Sequence, residues 1–578
     1  MESMPGVDLV LLHAPSVYDF RERPAMYGPI SDVVPSTPVF EMYPLGFVSM
    51  VGYLEQNGYK ARIINIAVKM LKDPKFDVER FLQRLDAKVY GFDLHWLANA
   101  AGSLDIAEIV KKHHPDAPIL MGGLSSTYFH EEIIEHFPQI DYILRGDTTE
   151  KPLLDLINHI FAGKEPETVE NLTWRSKDGR KRVNPMSFVP TEMDELWIDY
   201  GEVIKLVLRH RDLESTLPYE SFMNYPFTAV LTCKGCAYNC ITCGGSCYAF
   251  NNFFNRNGPA HKSAKKLVEE INVISEYFKA PIFLIGDLRQ GGRKWAEQVL
   301  EGIKESRLDN TITYEVFDMV PLDWMKLLSG SADNWTLEIS PESHDDAVRK
   351  IMGKPYTTTQ MEDTIKSALE HDTTKIDMYF MVGLSGQTSQ SALDSIDYAR
   401  HLYKKMDNNE KIFTFTAPMA PFLDPGSIIY ENPEKYGFTK LYHNLREHKE
   451  ALYQPSWKLY LSYHTDWMTR DEIAETTYEA MIRLNQLKMD VGITSVSHGE
   501  KVNYGLSMAR DIMHRIDDII ASTSDTVERQ SKYDSLKLEI DEAKKSTILA
   551  KRELRMPGLA GIRVTGAVKY LLKYLGLS

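Results

Sequence analysis

The sequence predicts an α/β architecture in three parts: a doubly wound parallel sheet, a partial (β/α)6 barrel, and a helical C-terminal region. Three observations predict it. Strand-like and helix-like stretches alternate over residues 7–160, six more strand–helix units follow over 226–430, and residues 431–578 read as mainly helical. The length agrees, since 578 residues exceed one ordinary domain.

In the first part, residues 1–160, VDLVLLHAP is a strand entering a loop, and PLGFVSMVGYLEQNGY has helical spacing ending at Gly58. ARIINI and AKVYGFDLHW are short buried strands. SLDIAEIVKKHHP is an amphipathic helix stopped by Pro115, and APILMGGLSS and DYILRGD follow as strands. Ligands of such sheets bind outside the carboxyl ends of the strands. The loops Pro15–Phe20, Asp93–His95 and Gly122–Ser126 therefore share one edge. Residues 161–225 read as a linker with β-hairpin character around NLTWRSKDGRKRVNP. The barrel strands are expected at FTAVLT, PIFLIGD, TYEVFD, WTLEIS, KIDMYFMVG and FTFTAPMA, with helices such as HKSAKKLVEEINVISEYF between them.

A formal charge of −15 argues against a general nucleic-acid binder. No apolar stretch has spanning length, and no basic region precedes the first apolar run. The expected location is the cytoplasm. The stretch 544–578 runs against the acidic whole, with eight Lys/Arg and one acidic residue. IRVTGAVKYLLKYL sets Arg563, Lys569 and Lys573 apart from Val564, Leu571 and Leu575, as in a basic amphipathic helix. Peripheral membrane contact through 544–578 is one reading; packing of the apolar face on the barrel is the other.

All five cysteines lie in TCKGCAYNCITCGGSCY, from Cys233 to Cys247. A disulfide framework would spread them over distant segments. Cys236-x3-Cys240-x2-Cys243 follows strand FTAVLT. Three thiolates on one tight loop can hold three irons of a four-iron cube and leave the fourth open to a chelating small molecule, whereas ordinary iron–sulfur sites use four cysteines. Zinc is the competing reading, because Cys233-x2-Cys236 and Cys240-x2-Cys243 supply four thiolates. Only three residues separate these pairs, whereas zinc ribbons close longer loops. Cys233 and Cys247 receive no role.

GCAYNCITCGG resembles the signature of the radical SAM superfamily, with Thr242 where an aromatic residue usually stands. The resemblance implies a [4Fe–4S] cluster on Cys236, Cys240 and Cys243. It also implies reductive cleavage of S-adenosylmethionine (SAM) to methionine and a 5′-deoxyadenosyl radical, with an external electron donor of ferredoxin or flavodoxin type. Further motifs follow in the family's order. IFLIGD places Asp287 where an acidic residue meets the SAM amino group. LEISPESHDDAVRKIMGKPYT places Glu342 and Ser343 toward its ribose and methionine. FMVGLSGQT places Gly383 and Gly386 where bare backbone approaches the adenine. APFLDPGSIIY resembles the last barrel strand and its turn.

The first part resembles the Rossmann-like cobalamin (B12)-binding domain that precedes many such barrels. The matching pieces are YPLGFVSMVGYLEQNGYKARIINI, VYGFDLHW, ILMGGLSS and DYILRGDTTEKPLLDLI. The resemblance places Gly122 and Gly123 where the nucleotide tail enters, and Asp93 and His95 beside it. Asp93-Leu94-His95 echoes a cobalt-ligating motif, but Ala98 stands where its glycine would, so His95 is not assigned to the cobalt.

This pairing of domains implies C-methylation of an unactivated carbon in a small-molecule or lipid substrate. Carbon–carbon bond or ring formation in an archaeal tetraether-type membrane lipid is the alternative. A non-catalytic SAM- or cobalamin-binding sensor is a third. In the helical region, Tyr460, Tyr463, His464 and Trp467 form an aromatic stretch with no role assigned.

Overall fold

The computed structural model describes residues 6–26, 28, 37–419, 421–543, 561–563, 565, 566, 568 and 572. The first unit is a sheet of β1 (Val7–His13), β2 (Ala61–Asn65), β3 (Ala87–Asp93), β4 (Ile119–Gly122), β5 (Tyr142–Leu144), β6 (Leu172–Arg175) and β7 (Lys181–Val183). Its order is β2-β1-β3-β4-β5-β6-β7. β1 to β5 are parallel. Helices cover both faces of such a sheet, so its strands read as continuous apolar runs, as in VDLVLLH. The strand order reverses between β1 and β3, which makes the crevice beyond their carboxyl ends the switch point.

The hairpin expected inside a linker belongs to this sheet. β6 pairs antiparallel with β5, and β7 with β6, because Leu172 and Trp174 are buried against the first unit's core. The sheet therefore runs past residue 160, to Val183.

The second unit begins with β8 (Thr228–Leu231). A short antiparallel pair follows, β9 (Cys233–Lys234) with β10 (Ala260–His261). Five more strands complete the barrel: β11 (Ile282–Ile285), β12 (Ile312–Val316), β13 (Trp335–Glu342), β14 (Lys375–Val382) and β15 (Ile412–Pro418). The order β15-β14-β13-β12-β11-β8 is parallel throughout, as the expected six-strand partial barrel requires. Several of its helices start on side-chain caps. Thr357 and Gln360 form a capping box, as do Thr388 and Ser391, and Ser263 caps the helix Ala264–Tyr277.

Among the described residues the last part is helical apart from one antiparallel strand pair, β16 (Phe438–Lys440) with β17 (Tyr463–Thr465). Helices Arg470–Asp490, Val496–Ser522 and Thr526–Ala543 follow. This part also reaches back to the first sheet. Lys449 pairs with Asp105 at 2.8 Å, and the Leu445 N–H donates to Glu132 at 3.0 Å. Most of the basic stretch 544–578, including Lys569, Lys573, Val564 and Leu571, lies outside the described residues. Arg563 is described. It pairs with Asp309, and its N–H donates to the Tyr277 carbonyl at 2.7 Å, so this residue packs on the barrel. Among the described residues no helix is long and apolar enough to cross a membrane.

Candidate active site

The cysteine loop leaves β8 at the carboxyl edge of the barrel and ends in the helix Cys247–Phe253, capped by Ser246. Hydrogen bonds from several elements fix its path. The Ala237 N–H donates to Gln290 at 2.7 Å, Ile241 N–H to the Met352 carbonyl at 3.2 Å, and Gly244 N–H to Asp424 at 3.1 Å. Burial pushes the Asp424 carboxyl up to about 6. Two backbone N–H groups point at cysteine sulfurs, Tyr238 to Cys236 at 3.4 Å and Gly245 to Cys243 at 3.3 Å. Such donors favour the thiolate. Burial works the other way and pushes the Cys236 thiol up to about 12, so a cationic centre is needed to hold it ionised. Among the described residues, no three of His, Cys, Asp and Glu are gathered closely enough to hold one metal ion. A cube takes one thiolate per iron, and this donor set suits it.

Gly353, in IMGKPYT, is a residue that sequence reasoning passed over. Its φ is +89°, and a Cβ there would meet the Asn239 carbonyl oxygen at 2.6 Å and the Cys240 Cα at 3.1 Å. The cysteine loop rests on this glycine. Next to it, the Lys354 Nζ is 2.9 Å from Glu342 Oε1, with both side chains buried.

Glu342 ends β13 with φ +66°, beside a register shift against β14. Its Oε2 is buried with no hydrogen-bond partner. A strained backbone and an orphaned carboxylate oxygen at one residue point to a function. Ser343 is buried beside it and accepts the Asp345 N–H at 3.1 Å.

Asp287 is placed at the expected strand end, but its carboxylate is engaged. It accepts the Arg289 N–H at 3.0 Å, the Arg289 guanidinium, and the Phe317 N–H at 3.0 Å. The carboxyl group that reaches this level from β12 is Glu315, which accepts the Gly286 N–H at 2.6 Å and is pushed by burial to about 7. Gly383 has φ +98°, and a Cβ there would lie 2.8 Å from the Tyr463 hydroxyl. Tyr463 of β17 packs against the side of the glycine that a Cβ would occupy. Gly386, at φ +76°, turns the chain toward Val348 and Ile351.

At the edge of the first sheet, Asp93 is turned inward rather than into the loop. It bonds His13 Nδ1 at 2.9 Å, and His13 Nε2 bonds the Phe40 carbonyl at 3.0 Å. Burial alone would lower the His13 imidazole, but Asp93 outweighs it and holds the group above its ordinary value. His95 packs edge-on against Trp96, with centroids 4.6 Å apart. Burial lowers the His95 imidazole to about 4, so it is neutral. The exposed Trp96, the neutral His95 and the Gly122–Ser126 turn make an edge that can take a large planar cofactor. Gly123 is also kept bare by its own neighbours. At φ +121° its Cβ would strike the Leu94 oxygen at 2.6 Å and the His95 nitrogen at 2.7 Å, so the chain's own loop needs the glycine. A Cβ at Gly122 would meet only ordinary contact, with Leu144 O at 3.6 Å.

The two edges face each other. Lys234, two residues before Cys236, bears electrostatically on His95. Arg256, just past the cysteine helix, forms a buried ion pair with Asp147 in the loop after β5. It also donates to the Pro190 carbonyl at 2.9 Å.

Residues 32–153 match the family model of the B12 binding domain, and residues 230–399 match that of the radical SAM superfamily. An uncharacterized methyltransferase of Pyrococcus horikoshii is 23% identical over 395 residues, covering 67% of this chain and 78% of its own. The anaerobic magnesium-protoporphyrin IX monomethyl ester cyclase of Rubrivivax gelatinosus is 22% identical, covering 52% of each. Among solved structures, the radical S-adenosylmethionine methyltransferase TsrM of Kitasatospora setae, with cobalamin and a [4Fe–4S] cluster bound, shares the fold. It covers 93% of this chain and 99% of its own, with TM-score 0.56 and 14% identity.

Proposed function

We propose, from the premise that this chain belongs to the radical SAM superfamily and carries a B12-binding domain ahead of its barrel, that it is a cobalamin-dependent enzyme methylating an unactivated carbon. One observation carries the reading. The carboxyl edges of two parallel sheets meet, with the cysteine loop on one side and the β1/β3 switch point on the other.

In this reading Cys236, Cys240 and Cys243 hold the cluster, and Glu342 and Ser343 hold SAM. The turns at Asp93–His95 and Gly122–Gly123 face the cobalamin. When bound, the cluster supplies the electron that cleaves SAM, and the cobalamin carries the methyl group. The chain's own residues orient and enclose. The Tyr238 and Gly245 N–H groups stabilise negative charge on sulfur. The free Glu342 oxygen accepts a hydrogen bond from a ligand hydroxyl or ammonium. Asp287 and Gly383 support this site from behind: Asp287 fixes Arg289 and Phe317, and Gly383 seats Tyr463.

The name of the Pyrococcus relative supports methyl transfer. The name of the Rubrivivax relative makes ring formation the competing outcome. Product analysis separates them. The protein is reconstituted anaerobically with iron, sulfide and cobalamin, then given SAM and a reductant. Methyl transfer yields S-adenosylhomocysteine alongside 5′-deoxyadenosine. Deoxyadenosine alone, with a modified substrate, identifies ring or bond formation. Neither product would reduce the chain to a sensor.

A further inference from the structure

Lys354 follows the glycine on which the cysteine loop rests, and its side chain reaches Glu342. It is buried, and its Nζ donates to Glu342 Oε1 at 2.9 Å and to the Ser340 carbonyl. Its backbone N–H donates to the Arg349 carbonyl at 2.8 Å, which pins it directly behind Gly353. Gly353 in turn packs against Asn239 and Cys240. Its ammonium is paired with the Glu342 carboxylate, which is the arrangement of a charged lysine. Glu315 also feels this charge from β12. A buried ion pair gains only when its remaining lone pairs are satisfied. Here Glu342 Oε2 is left without a partner, so the pair is complete only when a ligand donor arrives.

We propose that Lys354 is a positioning residue that couples the cysteine loop to Glu342: its ammonium holds one Glu342 oxygen so that the other meets a donor on SAM, and its charge favours the reduced form of the cluster on Cys240. This rests on the function proposed above. The arrangement gives one side chain two separable effects. Geometry governs how tightly SAM is held, through Glu342. Charge governs how readily the neighbouring cluster accepts an electron, since a nearby cation stabilises the more negative state.

The test compares Lys354→Met and Lys354→Arg in the reconstituted holoenzyme, by EPR-monitored redox titration and by the KM for SAM. Lys354→Met should lower the reduction equilibrium constant about tenfold, equivalent to ~59 mV for one electron. It should also raise the KM for SAM about tenfold, the loss of one well-placed hydrogen bond of ~1.4 kcal/mol. Lys354→Arg keeps the charge and should restore the potential while leaving KM raised. If Lys354→Met does not fold because Glu342 is stranded, the double variant Lys354→Met/Glu342→Gln, compared with Glu342→Gln alone, isolates the lysine charge and should show the same fall in potential between the two. An unchanged midpoint in a cluster-loaded Lys354→Met, or no fall between Glu342→Gln and the double variant, overturns the proposal. So does a Lys354→Arg midpoint as low as that of Lys354→Met. Failure of the wild type to take up a cluster would instead refute the functional reading itself, and the two failures are distinct.

Discussion

Arg256→Met tests the contact between the two sheets. The Arg256 guanidinium donates to both Asp147 oxygens, to Thr148 Oγ1 at 3.3 Å and to the Pro190 carbonyl at 2.9 Å. The side chains of Arg256 and Asp147 are 2% and 6% exposed, so water does not screen the pair. Methionine keeps the apolar stem and deletes the charge. Asp147 is then buried and unpaired, and breaking a buried pair from one side costs ~3–5 kcal/mol. Removing both charges costs less. In a cycle with Asp147→Asn the double variant should therefore be more stable than the sum of the singles, by ~0.5–3 kcal/mol. Urea unfolding followed by tryptophan fluorescence measures this, because Trp174 lies in the sheet that Asp147 adjoins. A functional effect should accompany it. The Arg256 stem runs under Gly235, where a Cβ would lie 2.7 Å from Arg256 Cδ, so the loop bearing Cys236 loses its floor. Arg256→Met within about 0.5 kcal/mol of wild type, or strictly additive singles, would refute the reasoning.

Three further outcomes are expected. Gly353→Ala puts a Cβ against the Asn239 backbone at a positive φ, so the folded protein should take up much less iron on reconstitution, read by iron analysis. Cys236→Ser should abolish the cluster's visible absorbance, whereas Cys233→Ser and Cys247→Ser should keep it. Loss of absorbance in all three would mean that the ligand set is wrong. His13 has a folded pKa above its ordinary 6.5, because Asp93 outweighs burial. Its stabilising contribution is complete below that value and is lost as pH rises through the folded pKa. Urea midpoints should fall as pH rises above about 6.5 in the wild type and flatten in His13→Asn, where the titrating group is gone.

Much of this fold was legible because parallel strands advertise themselves as apolar runs between amphipathic helices. The cysteine loop was legible because its spacing is local. What the sequence hid are pairings across long separations. Nothing in NLTWRSKDGRKRVNP says that its strands add to a sheet begun at Val7. That depends on where Leu172 and Trp174 find a core. Arg256 and Asp147 are far apart in the chain, and neither stands in a motif. The glycines were more subtle. Gly123 and Gly383 were expected to admit a cofactor, and both do lie at strand ends. Their missing side chains also make room for the Leu94–His95 backbone and for Tyr463. Lys354 and Gly353 stood within the IMGKPYT segment, where the signal was the glycine followed by a lone cation. Only the structure shows that they touch Cys240 and Glu342.

The central claim is that the cysteine loop and the edge of the first sheet form one site. Pulsed EPR on the reconstituted protein, with its cluster reduced and its cobalamin in the Co(II) state, measures this directly. Dipolar coupling between the two spins is expected, lost when Cys240→Ala removes the cluster. Two full-intensity signals with no coupling between them would contradict it.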